Sequence, residues 1–278
     1  MIYATLLGGI GNIMFIIASS YALALDNADE AIYSTSLSSI TRRKNEKWWF
    51  ETLFRKIKRG DGKAKMIYRE PGFMYKKIPY YPNMRMNGYF QSSQYFEHRR
   101  EEILELFTDY KKDIQTPLQL KLDLIDGRKI ALHIRRTDYV NLQHTHVVQS
   151  IDYYKEAVEI MKQRLGDTYD EFCYLVFSDD ITWCKEQPFL KSLPGVQFID
   201  DTDGIQKGPQ EVFELYLMSM CEHNIIANSS FSWWGAYLNE NPNQIVIAPN
   251  KWFNPPNKGG RGPPKWDSIY RKNWIRCG

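Results

Sequence analysis

Short apolar runs alternate with helical segments through the second half of the chain, and this alternation constrains the fold more than any other feature of the sequence. The apolar runs predict buried strands at 130–134, 172–177, 196–199, 224–227 and 244–248. Apolar residues recur at helical spacing over 152–165, 209–221 and 231–238. Strands that alternate with helices pack as a parallel sheet with right-handed crossovers. The second half of the chain therefore predicts an α/β fold.

Polar side chains follow three of these predicted strands. They are Arg135, Arg136 and Asp138 after the first strand, Ser178 and Asp179 after the second, and Asn228, Ser229 and Ser230 after the fourth. In open α/β sheets ligands bind outside the carboxyl ends of the strands, so we expect these residues along one edge of the sheet. Paired guanidiniums suit phosphate oxygens, and serines that lead into a helix present hydroxyl and backbone N–H groups to an anion. The sequence therefore predicts a phosphate site there.

Each part of this predicted site also has a purely structural interpretation. A surface ion pair between Arg136 and Asp138 would explain the charges, and a single Ser before a helix is usually an N-cap. His133 is a candidate substrate-binding residue, and its alternative interpretation is a strand histidine that hydrogen-bonds to the backbone. The occurrence of two arginines and two serines at one edge favours the phosphate site.

The first half of the chain begins with a predicted strand at 2–7, a glycine-rich turn and an apolar helix at 14–25. The turn lacks the third glycine of a dinucleotide fingerprint, because Met14 stands there, and it has no Walker lysine. Two interpretations remain. The turn is a tight connection that needs a positive φ, or it contacts a pyrophosphate or an acceptor sugar through Gly9, Gly11 and Asn12.

Composition excludes several functions. A formal net charge of +3 is too small for nucleic-acid binding across the whole surface, and four cysteines form no zinc or disulfide spacing. We expect a cytoplasmic protein, since neither a signal peptide nor a membrane-spanning run is evident.

The segment 42–65 holds ten basic residues against three acidic ones, with aromatic residues between them. That segment predicts either a solvated helical face or peripheral contact with an anionic membrane.

Five segments resemble, in order, the bacterial α-1,2-fucosyltransferases, glycosyltransferase family eleven. They are Gly8–Phe15, Gly88–Ser92, His133–Tyr139, Phe177–Asp180 and Asn228–Ala236. The resemblance implies a GT-B-type fold of two facing Rossmann-like domains with parallel sheets, which we place at 1–126 and 127–278. It also implies that GDP-fucose is held mainly by the second domain, and that the reaction inverts the sugar and needs neither metal nor cofactor. Ile13 and Ile16 stand where the family commonly has amides, so acceptor contacts differ if those positions face a cleft.

The residues can then be given roles in transfer of L-fucose from GDP-β-L-fucose to the 2-hydroxyl of a terminal β-galactoside, free or lipid-linked. We expect Arg135 to stabilise the leaving diphosphate, with help from Ser229 and Ser230. Asp138 is the candidate base, or else it orients Arg136, which holds the loop. Asp179 is expected to accept hydrogen bonds from guanine or ribose.

Two other functions stay open on the sequence alone. Asp201 and Asp203 form a DxD sequence that would hold a divalent metal in a metal-dependent glycosyltransferase. A non-catalytic glycan-binding module would use Trp233, Trp234 and Tyr237 as an aromatic platform, although these residues more simply pack in the core.

Overall fold

The computed structural model describes residues 1–34, 46–200, 210–256 and 259–278, and the chain divides into two compact units. The first comprises Met1–Asp113 and Lys265–Arg271, and the second comprises Ile114–Pro264 and Lys272–Gly278. The sequence places the boundary near Asp126–Gly127, later than the end of the first unit. The difference arises because the helix at Gln115–Asp123 packs against a helix of the second unit.

The first unit contains a four-stranded parallel sheet in the order β2-β1-β4-β3. Its strands are β1 Ile2–Thr5, β2 Ala31–Ser34, β3 Met66–Arg69 and β4 Met84–Asn87. Its helices are α1 Ile10–Asp26, α2 Glu46–Glu51 and α3 Arg100–Thr108. Ile13 and Ile16 of α1 are completely buried. Their side chains therefore belong to the core, and the loss of two amides at these positions removes no contact from an exposed surface.

The glycine-rich turn connects β1 to α1 with a left-handed residue at Gly8, whose φ is +77°. A Cβ on Gly8 would lie 2.6 Å from the side-chain nitrogen of Asn12, so only glycine fits there. Gly9 is the N-cap of α1 with φ −81°, and Gly11 is buried within the helix. Asn12 Oδ1 accepts a hydrogen bond from Gln91 Nε2 at 2.6 Å. These observations agree with the tight-connection interpretation of the turn.

The second unit contains a six-stranded parallel sheet in the order β10-β9-β8-β5-β6-β7. Its strands are β5 Arg128–Ile134, β6 Phe172–Ser178, β7 Gln197–Ile199, β8 His223–Ile225, β9 Val246–Pro249 and β10 Ile275–Cys277. Its helices are α4 Gln115–Asp123, α5 Thr137–Asn141, α6 Ile151–Leu165, α7 Ile181–Glu186, α8 Pro188–Lys191, α9 Gln210–Met220 and α10 Ser230–Tyr237. This strand order is that of a Rossmann fold, with the direction of winding reversed between β5 and β8.

The alternation of side chains along β5 decides which residues are available to a site. Ile130, Leu132 and Ile134 pack in a core cluster with Ala157 and Met161 of α6. Successive side chains of a strand point to opposite faces, so His133 lies on the other face. There its ring is 5.7 Å from the ring of Phe231 in α10.

The aromatic residues of α10 are buried in the core. Trp233, Trp234 and Tyr237 have no exposed surface, and the rings of Trp233 and Tyr237 stack with centroids 5.1 Å apart. A glycan platform needs exposed ring faces, so these three residues do not form one. In the described part of the chain, no helix is both long enough and apolar enough to span a membrane.

Candidate active site

The switch point between β5 and β8 brings together two of the predicted polar segments. Leu132 of β5 pairs with Ile225 of β8, and Arg135 and Asn228 each lie three residues beyond that pair. The crevice that ligands occupy in Rossmann folds opens where the winding reverses. The sequence therefore folds so that the loop with Arg135 and Arg136, here called the arginine loop, meets the start of α10 at Ser229 and Ser230. They meet at the place where this fold class binds ligands.

Arg135 is held between two carboxylates. Its Nη2 lies 2.8 Å from Asp138 Oδ1, and its Nε lies 3.3 Å from Asp179 Oδ2. The Nη1 group donates no hydrogen bond to the residues that the structure describes, and the side chain is 29% exposed. One edge of the guanidinium is thus available to an incoming anion, in an orientation that the two carboxylates fix.

Asp179 anchors the loop that carries the arginines. Its Oδ1 accepts a hydrogen bond from Arg136 N at 2.9 Å. Its Oδ2 accepts from Thr137 N at 3.1 Å and from the Thr137 hydroxyl. Both carboxylate oxygens are therefore engaged within the protein. The contact that the sequence predicts between Asp179 and guanine or ribose stays a prediction, and it would have to compete with these bonds.

Arg136 is held by an acidic and an aromatic side chain. Its Nε lies 3.2 Å from Asp180 Oδ2, and its guanidinium carbon lies 3.7 Å from the ring centre of Trp183. Asp180 also caps α7, since its side chain accepts from Trp183 N at 3.3 Å. The sequence offers a pair between Asp138 and Arg136, but the structure pairs Asp138 with Arg135. Arg136 holds the loop, as the sequence suggests.

The carboxylates at this edge outnumber the guanidiniums, so the edge is not a cationic pocket. Three carboxylates, Asp138, Asp179 and Asp180, face the guanidiniums of Arg135 and Arg136. An anion bound at this edge would have to be held by directed hydrogen bonds and by the helix start, because the net charge does not favour it. Ser178 stabilises the turn after β6, because its hydroxyl accepts a hydrogen bond from Asp180 N at 3.0 Å.

Ser229 caps α10, with its hydroxyl accepting a hydrogen bond from Phe231 N at 3.3 Å. The N-cap interpretation of this serine is confirmed, and Ser230 begins the helix. Asn228 is 1% exposed, and its Nδ2 donates to Val147 O at 2.9 Å and to Trp252 O at 2.8 Å. Asn228 therefore ties the end of β8 to two other segments, while its Oδ1 is buried without a partner in the described residues.

His133 is buried near the end of β5, and its ring forms no hydrogen bond with the described residues. The expected bond from its ring to the backbone is therefore wrong. Burial lowers the pKa of His133 to about 3, with Arg135 as a second cause. The ring is neutral at physiological pH, and its Nδ1 is an unpaired polar atom within the site.

Tyr139 is a site residue to which the sequence analysis assigns no role. Its hydroxyl donates to Asn228 O at 2.9 Å, and its ring centre lies 5.6 Å from the guanidinium carbon of Arg135. The signal in the sequence is its place at the end of the arginine segment His133–Tyr139, one helical turn beyond Arg135. Tyr139 connects the two polar segments of the switch point directly.

Metal binding has no candidate ligands in the described ranges, where no group of three or more His, Cys, Asp or Glu is placed to hold an ion. The DxD residues Asp201 and Asp203 lie outside the described residues.

The family model described as Glycosyl transferase family 11 matches residues 28–277 of this chain. The chain belongs to this family. It is therefore a glycosyltransferase, and the resemblance noted in the sequence is confirmed. The match extends through both units of the structure.

Among its relatives, this family 11 member is 29% identical to an alpha-1,2-colitosyltransferase of Escherichia coli, over 97% of this chain and 99% of the relative. It is 28% identical to the galactoside 2-alpha-L-fucosyltransferase Sec1 of Mus musculus, over 72% of this chain and 53% of that protein. The solved fucosyltransferase NodZ from Bradyrhizobium superposes with a TM-score of 0.54 at 12% identity, over 88% of this chain and 94% of NodZ. That likeness confirms the GT-B-type α/β fold.

Proposed function

We propose that this family 11 glycosyltransferase moves L-fucose from GDP-β-L-fucose to the 2-hydroxyl of a terminal β-galactoside, with inversion to an α-1,2 linkage. The observation that carries the proposal is the guanidinium of Arg135. It is aimed by Asp138 and Asp179, has one unpaired edge in the described structure, and lies at the switch point beside the start of α10. An enzyme that expels a nucleoside diphosphate needs such a preorganised donor of hydrogen bonds at that place.

The donor sugar has one close competitor. A relative that matches almost the whole chain is an alpha-1,2-colitosyltransferase, and colitose is the 3-deoxy analogue of L-fucose. The test is product analysis after incubation of a β-galactoside with GDP-fucose or GDP-colitose, in separate reactions. Release of GDP together with an α-1,2-fucosylated product supports the proposal. Turnover with GDP-colitose alone would contradict the choice of fucose while leaving the site intact.

Asp138 is the proposed base that accepts the proton of the attacking hydroxyl. It is 48% exposed, and its Oδ1 forms an ion pair with Arg135 Nη2 at 2.8 Å. Its exposure leaves the carboxylate accessible to an acceptor hydroxyl. The variant Asp138→Asn keeps the shape of the side chain but removes the base, so turnover should fall by about 10²–10⁴-fold. GDP affinity should survive, and an equal loss of turnover and GDP affinity would instead indicate that Asp138 only orients Arg135.

Metal independence is part of the proposal, because Arg135 and the N–H groups at the start of α10 are the groups that would stabilise the leaving diphosphate. The alternative that uses Asp201 and Asp203 predicts a different response to chelation. Activity should be unchanged in excess EDTA and unchanged in the double variant Asp201→Asn with Asp203→Asn. Loss of activity on chelation, restored by Mn²⁺ or Mg²⁺, would favour the metal-dependent reaction.

The acceptor is assigned to the first unit, near Gly9, Gly11 and Asn12, and this assignment follows the family resemblance. The partly buried side chain of Asn12 accepts a hydrogen bond from the buried side chain of Gln91, so a change at Gln91 alters the support of Asn12. The acceptor-side prediction is tested with Gln91→Leu. This variant should raise KM for lactose, a simple β-galactoside, without changing KM for GDP-fucose.

A cytoplasmic location and peripheral membrane contact stay predictions. In the described part of the basic segment, Arg55 bonds to Asp109 and Asp113, and Lys56 lies 3.1 Å from Asp109. Ion pairing of this kind reduces attraction to anionic lipid, whereas the indole of Trp48 is 47% exposed. Sedimentation with phosphatidylserine vesicles tests the contact, and binding that Trp48→Ala abolishes would support it.

A further inference from the structure

The loop that follows α5 is fixed in place by the segment that follows β9. Asn254 N donates to Thr145 O at 2.9 Å, and Asn254 Nδ2 donates to Gln143 O at 2.6 Å and to His146 O at 3.2 Å. His146 and Phe253 also form an isolated antiparallel bridge. These bonds hold the backbone of His146 in one position beside the arginine loop.

The imidazole of His146 lies flat on the ring of Tyr139. The ring centroids are 4.3 Å apart and the planes differ by 13°, while Phe253 contacts His146 from another direction at 5.5 Å. Tyr139 is in turn the residue whose hydroxyl reaches Asn228 O and whose ring adjoins the guanidinium of Arg135. A stacked pair restricts the orientation of both rings. His146 therefore limits how Tyr139 can move between the two polar segments.

We infer that His146 is a positioning residue for the transfer reaction, which acts through Tyr139 to keep Arg135 at a fixed distance from Asn228 and the start of α10. The inference rests on the proposed function, because it names the residue that sets the spacing of the two groups that grip the donor diphosphate. His146 contacts Tyr139 directly, and Tyr139 directly contacts both the Arg135 guanidinium and Asn228 O.

The chemistry of the ring agrees with this role. The His146 side chain makes no hydrogen bond with any described residue, and its Nδ1 is buried and unpartnered. Burial lowers the pKa of His146, while the nearby charges of Asp138, Arg135 and His144 act in both directions. The ring is thus neutral at pH 7 and adds no repulsion to Arg135. Its contribution to Tyr139 is a flat surface, which another aromatic ring can replace.

The test compares His146→Ala, His146→Phe and the control His144→Ala, whose exposed side chain lies in the same loop. We expect His146→Ala to weaken GDP binding by about three- to tenfold, the effect of one aromatic pair, and to raise KM for GDP-fucose equally. KM for the acceptor should not change. His146→Phe should recover most of the loss, and His144→Ala should match the unmodified protein.

A second measurement needs no substrate. Hydrogen exchange of the amides at 228–231 should speed up in His146→Ala and in Tyr139→Phe, but not in His146→Phe or His144→Ala. If the protein neither binds GDP nor transfers fucose, the proposed function fails while the exchange pattern still tests the positioning role. Unchanged exchange in His146→Ala would overturn the inference, and so would equal impairment of His146→Phe and His146→Ala.

Discussion

The carboxylate of Asp179 organises the arginine loop, and the variant Asp179→Asn tests this in stability and in binding. An asparagine keeps one acceptor oxygen and presents an NH₂ group where the other oxygen accepts from Thr137 N and the Thr137 hydroxyl. Hydrogen bonds to a charged group contribute about 1.5–3 kcal/mol each, so the loss of these two should cost roughly 3–6 kcal/mol. The ion pair to Arg135 Nε at 3.3 Å is lost as well.

The assay is thermal unfolding together with calorimetry of GDP binding. For a domain of about 150–250 residues, 1 kcal/mol moves the melting temperature by about 2–4 °C, so Asp179→Asn should lower it by roughly 6–24 °C. GDP affinity should fall too, because the loop that carries Arg135 loses the hydrogen bonds from Thr137 that anchor it. The control is Asp138→Asn, which removes a half-exposed ion pair and should cost about 0–1 kcal/mol. Equal melting temperatures for the two variants would refute the anchoring role.

Three further predictions concern separate parts of the molecule. Ser229→Ala should lower the free energy of unfolding in urea by about 1 kcal/mol, because α10 loses its N-cap, whereas Ser229→Asn should keep most of that stability. Equal losses of stability in the two variants would exclude a capping role. Glu70 accepts from Tyr89 N and Phe90 N, so Glu70→Ala should cost about 1–3 kcal/mol in the same assay and change acceptor KM more than donor KM. Burial raises the pKa of Glu214 to about 7. The folded protein holds this proton more tightly than the unfolded chain, so the free energy of unfolding should fall as pH rises from about 4.5 to 7. Glu214→Gln should make the free energy of unfolding depend less on pH in that range.

The second unit was predictable from the sequence because its central strands β5 and β6 contain continuous runs of buried apolar residues. The run 172–177 corresponds to β6, and the helical spacing over 152–165 corresponds to α6, with shifts of one residue. Parallel strands covered on both faces need continuous apolar runs, so periodicity identifies them well. The three-residue strand β10 is too short to give such a signal. Its pairing with β9 depends on tertiary contacts.

The site was predictable in its location but only partly in its internal pairing. The rule that ligands bind beyond the carboxyl ends of strands brings Arg135 and Asn228 to one crevice. It does not say that the Asp179 carboxylate accepts hydrogen bonds from Arg136 N and Thr137 N. Nor does sequence spacing reveal His146, because its contact with Tyr139 depends on the segment after β9 that holds the loop. Pairings between loops follow from the fold and leave no periodic trace in the sequence.

A structure of the full chain with bound GDP tests the central claim most directly. The account predicts diphosphate oxygens within hydrogen-bonding distance of Arg135 Nη1 and of backbone N–H groups at the start of α10, in the crevice between β5 and β8. A diphosphate bound instead at the glycine-rich turn of Gly8–Gly11, with Arg135 still paired only to Asp138 and Asp179, would contradict it.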